Sequence, residues 1–408
     1  MTDVLQTPEN HTTCCIVGGG PAGLMLGYLL ARAGINVTVL EKHADFLRDF
    51  RGDTIHPSTL EIMHHLGLLD EFLTLPHQRV ERLESEKNGR TTTLADFTRL
   101  PTRCKFMAFM PQWDFLNFLA NKASTLPSFA LHKQTRVSAL LKTNGRVTGV
   151  ACHGPDGVER IIHARLVVGA DGRQSVVREL AALPRREFGA PRDVLWLKLP
   201  RRSEDQARAS GHGGPSNNFI LLDRGDYWQC GVSIAKGSYP ALRQRPLGHL
   251  LADIAAVSPF SLERFEQEIT HWEQVKLLDI RIDRLEQWAA PGLLCIGDAA
   301  HAMSPIGGVG VNLAIQDAVA AANLLVAPLR NGSVSLRQLS RVQRRRRFPT
   351  WALQKIQLMM TRKGDRPADA PVRHPPALAR WLRRRPWLPL LAGRIIGMGF
   401  QREVPRLD

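Results

Sequence analysis

Three tyrosines in 408 residues leave little phenolic chemistry to draw on, namely Tyr28, Tyr227 and Tyr239. The six cysteines, at 14, 15, 104, 152, 230 and 295, form no CxxC or zinc-ligand spacing. Several fall in apolar, strand-like runs, which predicts buried free thiols in a reducing cytoplasm and no metal centre. The opening MTDVLQTPENHT has neither a basic n-region nor an apolar h-region, so no secretory signal is expected. No uninterrupted apolar run reaches bilayer-spanning length. Net charge is +16, a balance that attracts nucleic acid, anionic membrane or anionic small ligands. No nucleic-acid motif accompanies it.

What is present begins with an ordinary bulk composition. Hydrophobic content of 44% and charged content of 23% are those of a globular protein. The length suffices for two or three substructures around sizeable cores. Cys14-Cys15-Ile16-Val17 suits a buried strand. Gly18-Gly19-Gly20-Pro21-Ala22-Gly23 breaks it, and a helical pattern follows through Leu24, Leu26, Leu29 and Leu30. Gly34 ends that helix, and Asn36 to Leu40 reads as a second strand closing on Glu41. In such a βαβ unit Gly18 permits the tight turn, Gly20 admits a pyrophosphate to the backbone, and Gly23 lets helix and strand pack closely. The helix N-terminus offers free N–H groups and partial positive charge, and Pro21 removes only a donor that would be unpaired anyway. Glu41 stands where a carboxylate accepts from ribose hydroxyls. It disfavours a 2′-phosphate, so the tight ligand is FAD or NAD rather than NADP.

Further along, Arg51 in FLRDFRGDTIHPST either forks onto phosphate oxygens or is a surface arginine. A helix is expected from Pro57 to Leu69. Residues 79 to 110 read as strands with Asn88-Gly89 as a turn, and Gln112 opens the helix QWDFLNFLANKAS. Strands at Arg136–Lys142, Val147–Cys152 and Arg160–Ala164 predict a β-meander inserted in an α/β chain. In GADGRQSVVR a strand ends at Gly169 and a helix starts after Asp171-Gly172. Residues 190–285 are strand-dominated, with Val194–Leu199, Asn218–Leu222 and Tyr227–Ile234 suited to one larger sheet and SGHGGPS to a mobile loop. In GDAAHAMSPIGGVGVNLAIQDA a buried strand ends on Gly297-Asp298, and a helix runs from about Val311 to Ala327. Residues 334–408 are helical, basic and interrupted by prolines.

These three motifs, in this order and spacing, resemble the single-component flavoprotein aromatic hydroxylases. That group is typified by para-hydroxybenzoate hydroxylase and includes ubiquinone-biosynthesis hydroxylases. RGDTIHPSTLEIM, MPQWDFL and GDYWQCG are similar to a branch of FAD-dependent oxidoreductases. The likeness spans residues from about 12 to 330. It implies an α/β fold, with a Rossmann-like FAD-binding domain, an inserted mostly β substrate domain and a helical C-terminus. The implied FAD-binding segments are 12–78, 111–188 and 286–330. The substrate-domain segments are 79–110 and 189–285, followed by a C-terminal helical region, 331–408.

The same resemblance implies FAD as permanent cofactor and NADPH or NADH as transient co-substrate. Only one Rossmann fingerprint is visible, which agrees with a group whose nicotinamide has no such domain of its own. Gly18, Gly20, Ala22, Gly23, Glu41 and Lys42 fall to the ADP half, and Arg51 and Gln112 to the flavin nucleotide. Asp171 with Gly172 falls to the motif linked to both FAD and the nicotinamide, and Asp298 to the ribityl chain. Pro305, Gly307, Gly308, Gly310, Val311 and Asn312 fall to the isoalloxazine. The physics agrees: a strand-end carboxylate accepts from ribityl hydroxyls, a loop without bulk admits a ring, and the next helix aims its positive end at the reduced flavin. The implied reaction is flavin reduction at N5, oxygen addition at C4a to a hydroperoxide, and transfer of the distal oxygen to an electron-rich substrate. That substrate is aromatic or phenolic, quinone-like or polyketide-type. No catalytic base is assigned. Tyr227, with Trp228 and Gln229, either lines a pocket or is an ordinary sheet aromatic, and His301 reads as structural or flavin-adjacent.

Halogenation is not expected, because no WxWxIP motif with a neighbouring lysine is found. Two rival readings keep the flavin: a dehydrogenase or reductase of a lipid-like substrate, and a redox sensor without turnover. The C-terminal ALARWLRRRPWLPLLAGRIIGMG either lies peripherally on the anionic inner face of a membrane or packs on the protein with a solvated basic face. Pro386 and Pro389 favour packing. The expected partners are a small-molecule substrate and O2, with no nucleic acid, in the cytoplasm.

Overall fold

A parallel sheet with the glycine turn at its centre dominates the computed structural model, which describes residues 9–47, 54–87, 90–205, 210–213, 218–364, 385 and 387–406. The βαβ unit consists of β1 (Glu9–Val17), α1 (Pro21–Arg32) and β2 (Val37–Leu40). α1 is buried without a break from Ala22 to Ala31, which is why its leucines are not confined to one stripe. α2 (Pro57–His65) stops short of Leu69 because Gly67 takes φ +73 and turns the chain. α3 (Gln112–Ser124) leads to β3 (Phe129–His132).

β4 (Arg136–Thr143) and β5 (Arg146–His153) form a hairpin that runs onto β6 (Glu159–Gly169). The two short strands expected around Ala164 and Leu166 are one strand of 11 residues. Its first half pairs antiparallel with β5, while its last residues, Val167–Gly169, pair in parallel with a later strand. The meander is therefore an extension of the central sheet. α4 (Val176–Leu180) follows.

A second sheet contains β7 (Arg192–Pro200), β8 (Asn218–Asp223) and β9 (Tyr227–Ala235). It has seven strands, in the order Lys276–Leu278, β7, β9, β8, Ser210–Gly213, Arg82–Lys87, Arg90–Asp96. Two distant sequence segments thus build one layer. Ser210–Gly213, read from sequence as part of a mobile loop, is a strand paired with β8. One face, with Leu195, Leu197, Trp228, Cys230 and Val232, packs on the helices Leu247–Ala255 and Leu262–Glu268. The alternate residues form the opposite, inner face.

The chain then returns to the parallel sheet through β10 (Leu293–Cys295), completing the order β10–β6–β1–β2–β3. α5 (Val309–Arg330), α6 (Leu336–Gly364) and α7 (Trp387–Met398) close the molecule. α5 runs past Pro328 to Arg330: the proline removes one backbone donor, but the helical bonding resumes beyond it, with Asn331 N donating to Ala327 O at 3.1 Å. Ile306–Arg330 is long and, on average, apolar enough to cross a bilayer, but Asn312, Gln316, Asp317 and Asn323 interrupt it and 72% of its apolar stretch is buried inside the protein. Its apolarity is that of a core helix packed on α1. All six cysteines are free and buried, and burial pushes the Cys14 thiol up to about 12. Among the described residues no group of three or more His, Cys, Asp or Glu is placed to hold a metal. Residues 377–384 of the basic C-terminal stretch lie outside the described residues.

Candidate functional site

The three sequence motifs meet at the carboxyl ends of β1, β6 and β10, where ligands bind to open parallel sheets. Backbone bonds knit the strand ends together: Ala170 N donates to Val17 O at 2.7 Å, and Ile296 N donates to Gly169 O at 3.0 Å. Gly18 has φ +108, and a Cβ there would stand 2.4 Å from Ala170 O, so only glycine fits where the first two motifs touch. A Cβ on Gly23 would meet Gly18 O at 1.9 Å, which shows how closely α1 crosses the turn. Gly20 differs. It is the N-cap of α1, has no side-chain cap, and its Cβ direction is open to 4 Å. Glu41 is buried and fixed by Gly19 N (2.9 Å to Oε2) and His43 N (3.0 Å to Oε1). The first motif thus presents uncapped helix amides, an open face and an oriented carboxylate side by side.

In the second motif most side chains serve the turn itself. Ser175 Oγ donates to Asp171 Oδ1 at 2.5 Å and Val177 N donates to Asp171 Oδ2 at 3.2 Å, so Asp171 secures the start of α4. Burial pushes its carboxyl up. Arg178 is buried and reaches Arg173 O, Asp283 Oδ1 and Ala299 O at 2.7, 3.4 and 3.4 Å. It links the second motif to the third. Arg173, half-buried just after Gly172 at φ +85, reaches across to the third motif. Its Nε donates to Asp298 Oδ2 at 3.1 Å. Sequence reading passed over Arg173, although its place directly after the Asp-Gly turn was the available signal.

The third motif is a loop clamped from three sides. Ala22 packs on it, since a Cβ on Gly297 would lie 3.2 Å from the Ala22 Cβ. Gly308 caps α5 in the left-handed region at φ +62, with no side-chain cap. A Cβ on it would strike Thr54 Oγ1 at 2.1 Å, and that hydroxyl donates to Gly308 O at 3.1 Å. Asn312 spends its whole amide locally: Oδ1 accepts from His56 N and Thr59 Oγ1 at 2.8 Å each, and Nδ2 donates to Thr54 O and Gly308 O at 3.0 and 3.2 Å. From α6, Gln357 Nε2 donates to Ser304 O and Ile306 O at 2.9 Å each, and its Oε1 accepts from Ser304 N at 3.2 Å. The sequence pattern of α6 gave no sign of this glutamine clamp. Pro305, Gly307 and Gly310 follow the same path, and the Gly310 Cβ direction is open. No side chain caps α5 at Gly308, so its first turn is left to backbone or ligand acceptors.

The remaining candidates are more dispersed. Gln112 is buried at the start of α3, and its amide has no hydrogen bond among the described residues. Lys42 is exposed beside Glu41, and Arg51 lies outside the described residues. Tyr227 sits at the margin of the second sheet, with the Lys198 ammonium 5.1 Å from its ring centroid. His301 is buried, its Nε2 bonded to Asp317 Oδ2 at 2.6 Å and its ring 4.9 Å from Trp288. It belongs to the core.

Two uncapped helix ends at one sheet edge, an acid closing β2 and a carboxylate after β10 match the diphosphate, ribose, ribityl and ring of a flavin adenine dinucleotide. The molecule is by class a Rossmann-type flavoprotein oxidoreductase. The chain belongs to the FAD binding domain family, which matches residues 11–223 and 260–355. It is 36% identical to the 6-methylpretetramide 4-monooxygenase of Streptomyces rimosus over 356 residues, covering 86% of this chain and 84% of that one. It is 30% identical to a rifampicin monooxygenase of Streptomyces venezuelae over 319 residues, 74% of this chain and 61% of that longer protein. A probable FAD-dependent monooxygenase of Pseudomonas aeruginosa superposes with a TM-score of 0.72 at 24% identity, covering 87% and 96% of the two chains, and shows the shared fold. The protein is an FAD-dependent, NAD(P)H-consuming monooxygenase with the para-hydroxybenzoate hydroxylase-like fold, acting on a small molecule with O2.

Proposed function

We propose that this monooxygenase hydroxylates a polycyclic, phenolic, polyketide-type substrate. The observation that carries the substrate class is the 36% identity, across most of both chains, to a monooxygenase named for 6-methylpretetramide. The inner face of the second sheet suits such a substrate, because Val194, Trp196 and Leu222 line it with apolar and aromatic surface. FAD, when bound, supplies hydride acceptance and oxygen activation. Gly18, Gly20, Ala22, Gly23 and Glu41 hold its ADP half, aided by the α1 amides. Asp298, oriented by Arg173, accepts from the ribityl hydroxyls. The α5 amides favour negative charge at the ring, and the loop from Pro305 to Gly310 keeps that position free of bulk. The side chains of Asp171 and Asn312 act indirectly, by fixing the turns on which these donors sit. The domain boundaries given above and a cytoplasmic location belong to the same proposal. The buried free thiols support that location.

The experiment is turnover of a phenolic polyketide panel under isotopically labelled dioxygen with NADPH. One labelled oxygen atom in the product is the expected result. Substrate oxidation without label identifies a dehydrogenase instead and rejects the proposal.

A further inference from the structure

On the inner face of the second sheet, a buried amide has one end satisfied and one end open. Gln229, on β9, is 2% exposed. Its Oε1 accepts from Arg224 Nε at 2.9 Å, whereas its Nε2 has no hydrogen-bond partner among the described residues. With the oxygen engaged by a guanidinium the amide orientation is set, and what it offers to the interior is a pair of N–H donors. Buried donors of this kind are normally matched by water or by a ligand acceptor.

Two chains of contacts run from this face of the sheet to the flavin loop. Gln229 lies between Leu222 on β8 and Lys198 on β7. The indole of Trp196 fills the space over Gly231, where a Cβ would come within 2.7 Å of the ring. Leu222 packs into the cluster containing Phe109. Phe109 pairs with Thr54, whose hydroxyl holds Gly308. On the other flank Leu358 packs with Trp196, and its neighbour Gln357 clamps Ser304 and Ile306. Both routes end on the same loop.

Resting on the phenolic-substrate reading above, we infer that Gln229 is the substrate's polar anchor. Its carboxamide, oriented by Arg224, donates to a phenolate or enolate oxygen while the rings lie along the Trp196 and Leu222 surface. The donor pair and the adjacent guanidinium favour the ionised phenol, which is also the more electron-rich ring. Specificity for an oxygen acceptor follows, because an analogue without it leaves the buried donor unmatched.

The test uses the flavin-loaded protein and emodin, a trihydroxyanthraquinone whose colour reports its ionisation. Wild type is expected to bind emodin with a phenolate band at a pH where free emodin is neutral. Gln229→Leu is expected to lose that band and bind at least about tenfold more weakly, with flavin content unchanged. Gln229→Glu keeps the size and the Arg224 contact but removes the donors, so it tests the same point if the leucine variant misfolds. An unchanged band and affinity in either folded variant overturns the assignment of Gln229. Absence of emodin binding to wild type overturns the phenolic-substrate reading, and this inference with it.

Discussion

Gly20→Asp is expected to give a folded protein that purifies without flavin. Gly20 has φ −80 and ψ −173, an extended conformation open to any residue, and its Cβ would meet nothing within 4 Å. The new carboxylate therefore enters without steric cost. It caps the free amides of α1, which adds a few tenths of a kcal/mol to stability. The same carboxylate occupies the anion site with like charge. Like-charge juxtaposition costs several kcal/mol, so FAD affinity is expected to fall at least about a hundredfold, or about 2.8 kcal/mol. The readings are flavin-to-protein ratio and melting temperature of the apoprotein. Gly23→Ala is the contrasting control, since its methyl is driven 1.9 Å from Gly18 O and must disturb the fold itself. Full flavin content in Gly20→Asp removes the dinucleotide site from the α1 terminus.

The second large effect lies behind the site. Asp317 is fully buried and accepts from Gly297 N at 3.1 Å, His301 Nε2 at 2.6 Å and Arg346 Nε at 2.9 Å. Arg346 in turn donates to Gln401 O at 2.8 Å and faces Glu403 at 3.5 Å. Asp317→Ala leaves the Arg346 cation buried without its main counter-charge and orphans the Gly297 amide beside Asp298. Removing one partner of a buried pair costs roughly 3–5 kcal/mol, measured here by urea unfolding of the apoprotein. Burial pushes the Asp317 carboxyl up, but His301 and Arg346 outweigh it and hold it below its ordinary 3.8. A depressed folded value means the stabilisation is complete above about pH 3.8 and is lost as pH falls through the lower folded value. Wild type is thus expected to lose more stability than Asp317→Ala on acidification below about pH 3.8, since the other paired carboxylates titrate in both proteins. Equal stability of the two proteins at neutral pH contradicts the role given to this carboxylate.

The elements legible in the sequence were those set by neighbours in the chain. The turn from Gly18 to Gly23, the acid at 41 and the loop from Pro305 to Gly310 carry their signal in local residue type: the first two follow β1 and β2, and the third leads into α5. The break within β6 was misplaced because Arg165 is exposed while Ala164 and Leu166 on either side are buried. The strand passes there from hairpin partner to sheet partner without ending. Side-chain direction was the harder matter. Asp171 and Asn312 are the residue types a cofactor would use, yet their polar atoms are taken up by backbone and hydroxyl groups close in space. The functions of Gln357, Arg173 and Gln229 depend on residues far along the chain, or on which way one amide is turned. Composition and periodicity carry neither.

The most direct measurement is the visible spectrum of the purified protein before and after anaerobic NADPH, with and without emodin, followed by air. The expected result is a bound-flavin spectrum that bleaches and then recovers with oxygen. Flavin that stays oxidised under NADPH and NADH, in both the presence and absence of emodin, contradicts an NAD(P)H-driven monooxygenase.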